Sequence, residues 1–169
     1  KDDRPSGISY TAVNEDLNGR LVYCSLRDDA EWHKLNEVFS LLPRGRMVYP
    51  GFTPPADIPQ KLNGDTNIVT AAEVKGLDFD VIVLVDAGLK QTELQQLLQK
   101  NISEPYAEVF GRTMADQYRV AASRASETLV LLDRNGADHY EEIVKLCEGR
   151  KDLSVELEKV DVQQLIEII

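Results

Sequence analysis

Apolar positions along the chain fall into short, nearly unbroken runs separated by stretches with helical spacing. Leu21–Leu26 is one such run, of the length and composition of a buried strand. Asp28 and Asp29 follow as N-cap residues for a helix through Trp32, Leu35, Val38, Phe39 and Leu42, which Pro43 ends. These apolar positions recur every three or four residues, so they share one face. Met47–Tyr49 and Ile68–Thr70 are brief strands, with a proline-rich connection over residues 50–65 between them. Val81–Val85 is apolar throughout, as expected of a strand covered on both faces in a parallel sheet. The spacing then predicts helices over 90–100 and 104–126 and a buried strand at Thr128–Leu132. The tail offers an amphipathic helix (Tyr140, Ile143, Val144, Cys147), a strand around Leu153, Val155 and Leu157, and a short final helix. The first nineteen residues are polar and turn-rich, with one strand at Ile8–Val13. Strands alternating with helices predict an α/β fold, its mainly parallel sheet wound on both faces.

A length of 169 residues suits one domain. No apolar run is long enough to span a bilayer, and residues 1–5 lack the apolar core of a signal peptide, so the expected location is cytoplasmic. The chain does not open on Met and reads as part of a longer protein. Cys24 and Cys147 lie far apart and outside any CxxC pair. With only two histidines, neither a disulfide framework nor a metal site is expected. The formal net charge of −10 argues against a broad nucleic-acid surface, because phosphate binding needs concentrated Lys and Arg. Any such contact must be local.

Two constellations carry chemistry. Thr70–Asp80 lies between two strands, the place where doubly wound sheets bind ligands at carboxyl strand ends. Within it Gly76 permits a tight turn, Lys75 offers a cation and Asp78 a carboxylate. Taken alone, a Lys-Gly pair is more often plain turn chemistry. The second constellation is Tyr118–Ser126, where helical spacing places Phe110, Met114, Ala121 and Ala125 on one face and Arg124 at its border. An arginine beside a packed face needs an anionic partner, and a structural salt bridge is the plain reading. Arg112 and Arg119 point away as solvated charges.

Together the two segments resemble a known family. Residues 69–84, VTAAEVKGLDFDVIVL, are similar to motif V of UvrD/Rep-type superfamily 1 helicases. Residues 118–132, YRVAASRASETLVLL, resemble their motif VI. The resemblance covers residues 67–133, is loose over 20–50 and does not reach the tail. It implies the second RecA-like domain of such a motor, a three-layer α/β unit over residues 20–135. Residues 1–19 would form a leader and 136–169 an extension packed on the same domain. It further implies that Arg124 is the arginine finger for ATP with Mg²⁺, bound mainly by a P-loop RecA-like domain of the same polypeptide. Lys75, Gly76 and Asp78 would border the nucleotide, with Arg27 a second γ-phosphate contact. Thr70, Ala71 and Ala72 would lie on a track for single-stranded DNA or RNA.

The departures are Asp78 where the family has Glu and Ala72 where it often has His. The family's large insertion does not fit within residues 50–65, and no GxxxxGK[ST] phosphate loop is present. The alternative is a helicase-derived module serving protein interaction or regulation without catalysis. A receiver-like domain with Asp86 as phosphoacceptor is a further alternative, though the order of elements fits it poorly. Asp86 also superficially resembles a magnesium-binding strand end, and a turn residue is the simpler reading.

Overall fold

The alternation of side chains along each apolar run decides the architecture, because a strand that is apolar at successive positions must be buried on both faces. A computed structural model describes residues 19–50, 55, 56, 58, 68–90, 124–148 and 157–169. The elements run in chain order β1 (Arg20–Ser25), α1 (Asp29–Ser40), β2 (Gly45–Tyr49), β3 (Ile68–Thr70), β4 (Phe79–Val85), β5 (Ala125–Asp133), α2 (Tyr140–Glu148), β6 (Leu157–Val160) and α3 (Val162–Ile168). The six strands form one sheet in the order β3-β2-β4-β5-β1-β6, and every pairing is parallel.

Successive residues of each strand point to opposite sides. Val22 and Cys24, Val81, Val83 and Val85, and Val130 and Leu132 join the core beneath α1 and α3. Tyr23, Ile82, Leu84 and Leu131 join a second core, with Ile143 of α2. Helices thus cover both faces, giving a three-layer α/β fold consistent with a RecA-like domain. Helix α1 starts where Asp28 accepts from the Glu31 amide and buries Trp32, Leu35 and Phe39. The tail is built into the same sheet. Strand β6 pairs with β1 from Leu21↔Leu157 to Cys24↔Val160, and α3 buries Val162 and Leu165.

The strand expected at Thr128–Leu132 begins earlier, and here the expectation is corrected. Arg124 is a turn residue, and Ala125 and Ser126 already belong to β5, because Ala125 pairs with Phe79 of β4. The expected helix therefore stops short of Arg124, and Ala125 is on no helix face. Ala87–Lys90 is already helical, so that helix begins before residue 90. The strand expected at Ile8–Val13, most of residues 50–65, the parts of the expected helices from 91 to 123 and the side chain of Cys147 lie outside the described residues. Among the described residues no helix is long and apolar enough to cross a membrane.

Candidate functional site

In an all-parallel sheet, residues that follow strands gather at one edge and residues that precede them at the other. That rule sorts the candidate residues. Arg124 precedes β5 and Asp78 precedes β4, so both stand at the amino edge. The Phe79 amide donates to the Arg124 carbonyl at 2.8 Å, which fixes the backbone from which the guanidinium departs. Arg124 Nη1 lies 3.7 Å from Asp78 Oδ1; the Arg124 side chain is 26% exposed and that of Asp78 76%. Arg124 Nε is buried without a hydrogen-bond partner, one of three such side-chain atoms among the described residues. The other two, Trp32 Nε1 and Asn36 Oδ1, belong to uncharged groups on α1. A guanidinium donor left unmet at a protein edge is the more costly, and an anion would satisfy it.

Lys75 and Gly76 belong to the turns of residues 71–76 that lead into β4. Gly76 has φ 85°, a left-handed conformation that a side chain resists, and a Cβ there would meet nothing within 4 Å. The glycine serves the turn, not close packing. Lys75 is exposed, with no ion-pair partner among the described residues. Beside this group Arg44 Nη1 pairs with Asp80 Oδ2 at 3.0 Å, and the Ser126 hydroxyl donates to the Phe79 carbonyl at 3.2 Å.

Thr70, at the end of β3, stands at the opposite edge. The registers place it about level with Val85, roughly 20 Å along the strands from Phe79. Its amide and hydroxyl both donate to Glu73 Oε2, at 2.6 and 3.1 Å. This is half of a capping box, and the spacing Thr70-x-x-Glu73 is a sequence signal for it. Ala71 is 1% exposed and packs in the core, so it offers no surface to a strand; Ala72 is exposed. The expectation that the whole Thr70–Asp80 segment lies at carboxyl strand ends is corrected, because the turns of 71–76 carry it down the height of the sheet.

Arg27 is corrected more firmly. It follows β1 at the carboxyl edge, where its Nε pairs with Glu31 at 3.1 Å and its side chain is 84% exposed. The β1–β5 register puts it roughly 30 Å or more from Arg124, so the two cannot touch one phosphate.

The carboxyl edge holds a buried polar network that the sequence did not reveal. Asp86 has φ 59°, and both its carboxylate oxygens are taken by Arg134, at 2.9 Å from Nε and 2.8 Å from Nη2. Arg134 also lies over the Trp32 ring, 5.2 Å from its centroid. Asp133 accepts from the Tyr23 hydroxyl and from the Gly88 amide at 3.0 Å, and lies 3.0 Å from His139 Nδ1. Burial, and then the hydrogen bond to Asp133, push the Tyr23 hydroxyl well above its ordinary pKa. The available signal was that both apolar strands end on a carboxylate, Asp86 and Asp133. The network fills the switch point between β1 and β5, and it argues against the receiver-like reading, since Asp86 is buried with both oxygens engaged by Arg134.

Arg124, with an unmet Nε donor at the amino edge, suits an anionic oxygen. Among the described residues no three His, Cys, Asp or Glu side chains converge to hold a metal ion. Neither a family model nor a curated protein sequence matches this chain.

Proposed function

We propose that this chain is the second RecA-like domain of a UvrD/Rep-type superfamily 1 helicase motor, lending its amino edge to an ATP site shared with a P-loop domain. The observation that carries the reading is Arg124, a mostly buried guanidinium whose Nε has no partner, set against Asp78 in the motif V-like turn. Two segments that resemble separate helicase motifs thereby meet at one edge. Arg124 would present its open donors to phosphate oxygens, and Lys75 would add a second cation. ATP, when bound, supplies the phosphoanhydride; Arg124 offsets the charge that grows as that bond breaks. The chain alone lacks a phosphate loop and is expected to turn over no ATP.

The test is ATPase activity of the full-length protein, with and without single-stranded DNA, wild type beside Arg124→Ala. Arginine fingers contribute on the order of a thousandfold to turnover, so the variant is expected to fall by about that factor while remaining folded. Equal rates would return Arg124 to a structural salt bridge.

The second reading, a non-catalytic interaction module, is favoured by Thr70. Its hydroxyl is held by a carboxylate, and a carboxylate repels a nucleic-acid backbone. Absence of turnover in the wild-type protein would move that reading ahead.

A further inference from the structure

We propose that Asp78 is the resting counter-ion of Arg124, a latch that holds the guanidinium in place and is displaced when a polyphosphate arrives. The inference deepens the reading above and rests on it. Two of the arginine–carboxylate pairs among the described residues contrast. Arg134 meets Asp86 with two short hydrogen bonds, and both groups are buried. Arg124 meets Asp78 through one nitrogen at 3.7 Å, beyond hydrogen-bond length, and its Nε stays unmet. The first pair has the geometry of a permanent fork-to-fork contact. The second holds a charge without consuming its donors.

The surroundings favour exchange of one anion for another. Asp78 is largely exposed and can swing away, whereas Arg124 is recessed and anchored through its carbonyl to the Phe79 amide. Of the nearby charges, Asp80 is engaged by Arg44, and Lys75 is exposed beside the turn. A ligand able to compete must carry several oxygens on one compact anion, which describes the phosphates of a nucleoside polyphosphate. Asp78 therefore opposes binding by its charge while it keeps Arg124 aimed.

The experiment is a titration of the 169-residue chain with sodium tripolyphosphate, without divalent metal and at low ionic strength, followed by the arginine Nε–Hε signals in ¹H–¹⁵N spectra. In the wild type the Arg124 signal is expected to shift while those of Arg27 and Arg44 stay in place. Asp78→Asn is expected to tighten binding about three- to fivefold, the effect of removing one charge a few ångströms from the anion in a solvated setting. Asp78→Glu is expected to bind as the wild type does. Equal affinity of Asp78→Asn and wild type, with binding lost in a folded Arg124→Gln, would overturn the latch and leave the finger reading standing. Unchanged binding in Arg124→Gln would overturn both.

Discussion

Three arginines of this chain occupy three electrostatic settings, and the setting of each follows from its position relative to a strand. Arg134 ends a buried strand and needs a full partner, which Asp86 supplies; Arg27 sits in water beside Glu31. Arg124 lies between these extremes, which is why it is the candidate for chemistry. Glycine divides in the same way. A Cβ on Gly88 would fall on the Asp133 carboxylate and 2.6 Å from His139 Cβ, both of them held by the buried network. A Cβ on Gly76 would meet nothing, leaving only the strain of φ 85°. Gly88→Ala is expected to destabilise the fold by about 2–3 kcal/mol, an overpacking penalty in a region that cannot relax. Gly76→Ala should lose about 1–2 kcal/mol through backbone strain. Urea unfolding of the two variants beside wild type checks the order, and a neutral Gly88→Ala would mean that the network yields easily.

At the scale of elements, α3 is seven residues long and depends on its start. Asp161 accepts from the Gln164 amide at 2.8 Å while the Gln164 side chain accepts from the Asp161 amide at 2.9 Å. Asp161→Ala is expected to remove about 1 kcal/mol. The Leu165 amide, bonded to the Asp161 carbonyl, should then exchange its hydrogen roughly fivefold faster, provided α3 opens locally. Elements with a strong local pattern were legible in advance. Strands β1 and β4 announce themselves through apolar runs, and α1 through its cap and spacing. The start of β5 was not legible, because Ala125, Ser126 and Glu127 are small or polar and half or fully exposed there. Only pairing with Phe79 makes Ala125 a strand residue, and that partner is remote in sequence. Of the candidate site, the placement of Asp78 and Arg124 just before two neighbouring strands was legible. Arg27 misled because it is also an arginine beside a strand. Whether a residue precedes or follows its strand, information already in the sequence, decides which edge of a parallel sheet it joins.

For the whole molecule, ionisation of the interior sets a limit at alkaline pH. Burial pushes Cys24 from 9.0 up to about 12, and Tyr23 is also raised. Both are neutral acids when protonated, so between the unfolded and folded values the native state binds more protons than the unfolded chain. Their contribution is complete below about pH 9 and is lost as pH rises toward 12. The urea midpoint is expected to hold between pH 7.5 and 8.5 and to fall by pH 10.5, with a shallower fall in Cys24→Ala. An identical profile in that variant would remove Cys24 as a source. The net charge of −10 acts over the same scale, yet salt screens it beyond about 8–10 Å, so a ligand at Arg124 meets mainly its immediate neighbours. The strand order has a consequence for synthesis. Among the described residues strand β1 pairs with β5 and β6, both far downstream of it in the chain, and Tyr23 waits 110 residues for Asp133. Strand β2 finds β3 and β4 much sooner. A nascent or truncated chain that stops before β5 thus carries an apolar strand with both edges open, a template for association with other chains until its own partners emerge.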